Sequence, residues 1–181
     1  MISEFSKIDL ANDLSVSAIN VPFSYYGKKE KLYQYQRLLK NVKEKISEEK
    51  FNVLLLHSPN SLIQNGKIDR SSDIIRNMNL ILCGHNHGGL MPIFAQDIIK
   101  GHRGLAGPYA KLLQPNAYGI YNEDDTSVLV SNGVTKISST SEAGKINGIL
   151  NKIYTPEIDV IHMTQSDEHS LTLKNRSVHK F

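Results

Sequence analysis

The sequence lacks the features of a secreted or membrane-spanning protein. It contains a single cysteine, Cys83, which excludes an internal disulfide and a disulfide-stabilised scaffold. No uninterrupted apolar run approaches the roughly 20 residues that a membrane helix needs. Residues 1–5 have neither the basic start nor the apolar core of a secretory signal. We therefore expect a cytoplasmic protein with no membrane span, in which Cys83 is a small buried residue.

The chain also has little excess charge of either sign. It carries 21 Lys and Arg against 18 Asp and Glu, which gives a net charge of +3. Many of the basic residues lie between Lys28 and Lys50, where glutamates alternate with them. This pattern is typical of a solvated helix face and does not indicate a nucleic-acid surface. With 40% hydrophobic residues, the 181-residue chain can bury the core of one ordinary domain.

Hydrophobic periodicity predicts that strands and helices alternate in the first half of the chain. The expected order is a strand over residues 14–21, an amphipathic helix over about 30–49, a buried strand over 53–56, a short helix after residues 71–73 and a second buried strand over 79–83. Alternation of this kind is typical of an α/β fold built in layers.

The second half of the chain is predicted to contain more strands and long loops. Residues 117–121 and 127–131 read as the two strands of a hairpin, and residues 157–163 alternate as a last strand. Residues 165–181 are mostly polar, which predicts a loosely held tail.

Histidines follow both buried strands at the points where the strands end. His57 comes directly after the first, and the second leads into LILCGHNHGG, which contains His85 and His87. The carboxyl ends of strands in an α/β sheet meet at the crevice where such proteins place their sites. Two histidines one residue apart project from the same side of an extended chain, and imidazole suits zinc, iron and manganese. We therefore expect His57, His85 and His87 to be metal ligands.

Glycines flank the pair formed by His85 and His87. Gly84 is expected to let the chain turn sharply out of the sheet. Gly88 and Gly89 are expected to let the backbone pass close to whatever the imidazoles hold.

Residues 54–59 and 80–89 resemble the last two metal-binding motifs of the calcineurin-like metallophosphoesterases, particularly a bacterial branch with the motif Gly-His-x-His-Gly-Gly. Residues 118–133 and 156–160 are similar to the terminal strands of that branch, so the resemblance covers most of residues 14–163. It implies a layered sheet sandwich with flanking helices. It also implies hydrolysis of phosphomonoesters or phosphodiesters by a hydroxide that two metals activate.

The resemblance implies roles for the candidate residues. His57 and His85 would ligate one metal of the two-metal centre and His87 the other, with manganese, iron or zinc as the ions. Other candidates would adjoin the ligands or belong to the substrate loop: Asn86, Gly88, Gly89, His102 and Arg103. Asn86 would orient a neighbouring ligand by hydrogen bonding. From their charge alone, Arg103 and Lys111 would either neutralise phosphate or face solvent.

The family's other ligands have no counterpart before His57. They come from an Asp-x-His, a Gly-Asp-x-x-Asp and a Gly-Asn-His-Asp or Gly-Asn-His-Glu motif, and residues 1–56 contain none of these. We therefore expect residues 1–164 to be the carboxyl-terminal part of a metallophosphoesterase domain, with residues 165–181 as a tail. Such an incomplete half leaves a sheet edge open, which an amino-terminal half or self-association would cover.

Two other functions are compatible with the same residues. A non-catalytic remnant would act as a protein-binding module through the open sheet edge or the glycine-rich loop. Alternatively, the three histidines would form a mononuclear zinc site with water in the fourth position, as in a zinc hydrolase. The substrate is left open, because the loop over residues 92–115 has no pattern that identifies one.

Overall fold

The computed structural model describes residues 4–20, 38, 40, 42, 44–64, 67–69, 75–86, 89, 103–104, 115–132, 157–165 and 171–180. Ten strands lie in these ranges: β1 Glu4–Asp9, β2 Leu14–Asn20, β3 Phe51–Leu56, β4 Ile63–Gln64, β5 Lys67–Ile68, β6 Leu80–Cys83, β7 Gly119–Glu123, β8 Thr126–Val130, β9 Glu157–Gln165 and β10 Leu171–Lys180. Short 3-10 helices span Pro59–Ser61 and Ile75–Asn77. None of the helices within these ranges is long and apolar enough to cross a membrane.

Six strands form one mixed sheet in the order β1-β2-β3-β6-β8-β7. β2, β3 and β6 are parallel neighbours, whereas β1 runs antiparallel to β2. Within the described ranges, the connections between the parallel strands contain helical residues 38, 40 and 42 and two short 3-10 helices, which agrees with an α/β-like sheet. The predicted strands over residues 14–21, 53–56 and 79–83 are confirmed as β2, β3 and β6.

β1 is the element of this sheet that the sequence does not predict. It pairs with β2 along its whole length, from Glu4 opposite Asn20 to Asp9 opposite Ser15. The side of β2 that faces away from β3 is therefore paired with a strand of the chain itself. Among the described strands, β1 is an edge strand of this sheet.

The helix predicted over residues 30–49 ends earlier than expected. Residues 38, 40 and 42 are helical, whereas residues 44–50 form turns and irregular backbone. The chain leaves the helix by a tight turn, in which the Lys45 N–H donates to the Val42 carbonyl at 2.9 Å. Val42 and Ile46 are both buried, so the apolar spacing reflects core positions correctly even though Ile46 is not helical.

A buried polar cluster ties together the amino-terminal ends of the three parallel strands. The Asn52 side chain accepts a hydrogen bond from Ser15 Oγ at 2.6 Å and donates to the carbonyls of Ser47 at 2.7 Å and Lys50 at 2.9 Å. The Asn52 N–H donates to Asn79 Oδ1 at 2.8 Å. Because all these polar groups find partners, Asn52 can remain 2% exposed without a large desolvation cost.

The two faces of the sheet are buried to different extents near the carboxyl ends of the strands. Ile19 on β2 and its register partner Leu56 on β3 are buried. One residue earlier, on the opposite face, Ala18 is half-buried and its partner Leu55 is 41% exposed. A leucine on an inner strand is thus partly open to solvent.

The hairpin predicted over residues 117–131 is confirmed as β7 and β8, and the predicted last strand is confirmed as β9. Residues 171–180, however, form β10 rather than a loosely held tail, and β10 pairs antiparallel with β9. Main-chain hydrogen bonds hold such a ladder whatever the polarity of its side chains, so composition misled the prediction.

The contact pattern divides the chain into two units. One comprises Met1–His85 and Ile120–Leu129, and the other comprises Asn86–Gly119 and Val130–Phe181. Within the first unit, Thr126 on β8 donates its buried hydroxyl to the Met78 carbonyl at 2.8 Å. This bond links the hairpin to the segment that precedes β6.

We predict that Asn52→Ala lowers the free energy of unfolding by about 2–4 kcal/mol, because it leaves the Ser15 hydroxyl and two carbonyls without their shared partner. Asn122→Ala is the matched control: Asn122 is exposed and accepts one surface hydrogen bond, from Ser127 at 2.8 Å. Its effect should stay within about 0.5 kcal/mol. Urea-induced unfolding followed by circular dichroism measures both, and equal losses would contradict the role given to Asn52.

Candidate functional site

The parallel pairing of β3 with β6 sets the position of the first two candidate histidines. Leu56 is the register partner of Cys83 at the carboxyl ends of these strands. One further bond continues the pairing, since the Gly84 N–H donates to the His57 carbonyl at 3.1 Å. His57 and His85 therefore leave the sheet side by side.

The imidazole rings of His57 and His85 are in direct contact. Nε2 of His57 lies 2.8 Å from Nδ1 of His85, and the rings meet edge to face with centroids 4.7 Å apart at 71°. An N–H···N hydrogen bond explains this distance when one of the facing nitrogens carries the proton. Two nitrogens that each lie about 2.1 Å from one cation are about 3 Å apart at a right angle and about 3.4 Å apart at a tetrahedral angle. Chelation by this pair would therefore require loss of the shared proton, a small separation of the two nitrogens and a rotation of the rings that points both lone pairs at the ion.

The two rings differ in their access to solvent. His85 is only 7% exposed, whereas His57 is exposed. A buried ring is fixed by its surroundings, and an exposed ring beside it can be reached by a ligand from solution. The pair therefore combines one oriented donor with one accessible donor.

The backbone turn after β6 is made by His85 and not by Gly84. His85 has φ 54°, in the left-handed region that is uncommon for residues other than glycine, although histidine adopts it more often than most. A Cβ on Gly84 would meet nothing within 4 Å, and Gly84 is not among the positive-φ glycines. The expectation that Gly84 provides the turn is wrong. Uncommon backbone angles of this kind cluster at functional sites.

Two imidazoles supply only part of a metal's coordination. Within the described ranges, no group of three or more His, Cys, Asp or Glu side chains lies close enough to hold an ion. His87, the third predicted ligand, falls outside those ranges, as do Gly88 and His102. The donor set fits a metal with open positions that other residues must fill.

Asn86 is buried within a tight turn. The Gly89 N–H donates to the Asn86 carbonyl at 2.7 Å, and Asn86 Nδ2 donates to the carbonyl of Asn116 at 2.8 Å. The amide thus holds a neighbouring loop, while its Oδ1 is buried and has no hydrogen-bond partner in the part of the chain that is described. Asn116 is not among the residues that the sequence predicts for the site. Its φ is 55°, in the left-handed region, and an asparagine after a proline is a sequence signal for a turn.

Gly89 packs against a second glycine. A Cβ on Gly89 would lie 2.2 Å from the Cα of Gly104, and φ at Gly89 is 63°. The close backbone approach predicted at Gly89 is therefore present, but it is made to another loop. Because Gly104 follows Arg103, this contact anchors the candidate substrate loop. The Arg103 side chain itself is exposed.

Cys83 is confirmed as a small buried residue. It is 5% exposed, and burial raises the pKa of its thiol far above the ordinary range. The thiolate is the form that binds metals and attacks electrophiles. Cys83 therefore belongs to the packing beneath the histidine pair and not to its donor set.

Comparisons with protein-family models, with curated proteins and with solved structures find no match to this chain. The resemblance of its histidine motifs to the metallophosphoesterases therefore stays a prediction. The geometry of His57 and His85 is the observation on which a functional proposal can be built.

The two glycines of the motif should respond differently to alanine. Gly89→Ala is expected to lower the free energy of unfolding by about 2–4 kcal/mol, because the new methyl group meets Gly104 and the backbone angle disfavours alanine. Gly84→Ala meets open space, so its effect should stay within about 1 kcal/mol. Thermal and urea unfolding measure both variants. A larger loss at Gly84 would contradict the backbone geometry described here.

Proposed function

We propose that this chain is the metal-binding carboxyl-terminal part of a calcineurin-like metallophosphoesterase. It would hydrolyse phosphate esters only when joined by residues that provide the carboxylate and asparagine ligands missing from its sequence. The observation that carries this proposal is the 2.8 Å approach of His57 Nε2 to His85 Nδ1 at the ends of adjacent parallel strands.

The nitrogen-to-nitrogen contact favours a ligand pair over a packing role. Here two imidazoles from segments 28 residues apart present ring nitrogens to each other, and one ring is exposed. The convergence also agrees with the resemblance, which assigns His57 and His85 to the same metal.

The burial of the sheet supports the expectation of an incomplete domain. A sheet sandwich buries the facing sides of its sheets against another layer. In this chain Leu55 on the inner strand β3 is 41% exposed, and Ile8 on β1 is 59% exposed. A sheet that normally receives a further layer would present such apolar residues.

The chain's own residues would hold the cation and position it. His85 would fix the ion against the sheet, while exposed His57 would complete the pair on the solvent side, with His87 directed to a second ion. Divalent ions held there would supply the chemistry of the reaction by lowering the pKa of a bound water and polarising the phosphate. Neutral imidazoles do not offset the charge of two cations, so the carboxylate ligands from outside this sequence are needed for the full centre.

Metal binding is the first test. Isothermal titration of the metal-free chain with Zn²⁺ should show binding that His57→Ala and His85→Ala each weaken by at least about tenfold. His179→Ala is the matched control, since it removes an imidazole in β10 that neither motif contains, and it should leave the affinity unchanged. Binding that is equally strong in all four proteins would refute the proposed site.

Hydrolysis is the second test. With Mn²⁺ and bis-p-nitrophenyl phosphate, the chain alone should give no turnover above the metal background, because half of the ligands are missing. Fused behind the amino-terminal half of a bacterial member of the Gly-His-x-His-Gly-Gly branch, it should gain turnover. His85→Ala or His87→Ala should then reduce the rate at least about a hundredfold.

Two results would oppose the proposal. Turnover by the chain alone that His57→Ala and His85→Ala abolish would favour a complete site of another kind, such as a mononuclear zinc hydrolase. Turnover in the fusion that survives all three histidine substitutions would exclude a catalytic role for the pair.

A further inference from the structure

β1 presents an open strand edge with apolar residues beside it. It lies at the end of the six-stranded sheet, as far as the described ranges show. Ile8 is 59% exposed and Leu10, just beyond the strand, is 61% exposed. A long edge strand with exposed apolar side chains is a template for pairing with another chain.

The direction of the main-chain groups on β1 follows from the flanking hydrogen bonds. The Leu10 N–H donates to the Leu14 carbonyl at 3.0 Å, which directs the main chain of Leu10 toward β2. Because the direction alternates along a strand, the main chains of Phe5, Lys7 and Asp9 point away from β2. The bond from the Phe51 N–H to the Asp13 carbonyl at 2.7 Å agrees with this assignment. It directs the main-chain groups of the odd-numbered residues of β2 toward β3, which leaves those of the even-numbered residues to pair with β1.

We propose that β1 pairs antiparallel with β1 of a second copy of this chain, with Ile8 opposite Ile8 at the two-fold axis. In this register Lys7 of each copy lies opposite Asp9 of the other, so two opposite-charge pairs form across the edge. The main chains of Lys7 and Asp9 are also those that point outward, so they can exchange the ladder hydrogen bonds.

The charges on β1 select this register over its neighbours. Centring the pairing on Lys7 places two ammonium groups opposite each other, and like charges directly opposite are destabilising. Centring it on Ser6 leaves Lys7 opposite Phe5 and forms no charge pair. Of these three registers, the one centred on Ile8 pairs Lys7 with Asp9, and it brings the exposed Ile8 side chains of the two copies together on one face.

Asp9 is already part of a charge cluster that the pairing would extend. Its Oδ1 lies 3.2 Å from Lys50 Nζ and 3.4 Å from Lys7 Nζ. The hydrogen bond from Lys50 lowers the pKa of Asp9, so its carboxylate is ionised at neutral pH. A two-fold pairing consumes the same edge on both copies and therefore stops at a dimer.

Charge reversal tests the proposal. In sedimentation velocity over a range of concentrations, the wild-type chain should be a dimer. Lys7→Glu, with two acids facing two acids, and Asp9→Lys, with two bases facing two bases, should each raise the dissociation constant at least about tenfold. An equimolar mixture of the two variants should associate as a heterodimer, because every opposed pair then carries opposite charges.

Lys67→Glu is the matched control, since Lys67 is exposed on β5 and should leave the dimer intact. Circular dichroism of each variant verifies folding, and association of the mixture shows directly that both variants remain competent to pair. A wild-type chain that stays monomeric at all concentrations would overturn the proposal. So would a Lys7→Glu chain that dimerises as well as the wild type, or a mixture that fails to associate.

Discussion

The candidate site depends on the register between β3 and β6. Pairing of Leu56 with Cys83 places the residues that follow both strands at one edge of the sheet, and the Gly84–His57 main-chain bond extends that alignment by one step. A slip of one residue would turn the side chains of β6 to the opposite face and separate the imidazoles. The polar cluster around Asn52 fixes the other end of the same strands, so it resists such a slip from a distance.

Local patterns in the sequence predict the parts of the fold that have a strong periodic signal. The continuous apolar runs that end at Leu56 and Cys83 are strands, the hairpin has the expected place, and the burial of Cys83 is as expected. β1 escapes prediction because Ile8 is exposed, Phe5 is only half-buried and the charged residues between them give no core pattern. β10 escapes because a ladder can be held by main-chain bonds alone.

The histidine pair shows a different limit of sequence reasoning. Strand ends predict that His57 and His85 lie near each other, and they do. The sequence assigns the turn to Gly84, whereas His85 itself adopts the left-handed conformation. Glycine is the residue for which a left-handed conformation has the lowest steric cost, but the tertiary contacts of the buried ring decide which residue adopts it. Asn116 is missed for the same reason, because its partner Asn86 is 30 residues away in the sequence.

In the proposed site, the ability to bind a cation is distinct from the ability to use it in catalysis. Two imidazoles that already stand side by side would lose less conformational freedom on binding an ion than two separate ones, so less of the binding free energy would be spent on ordering them. Activation of a nucleophile between two metals requires anionic ligands as well, because the charge of both ions must be balanced while they share a water. The described part of the chain has the preorganised nitrogens but brings no carboxylate to them. Cation binding is therefore expected to depend on the histidines of this sheet, whereas catalysis is expected to need those histidines together with ligands that must be brought to them.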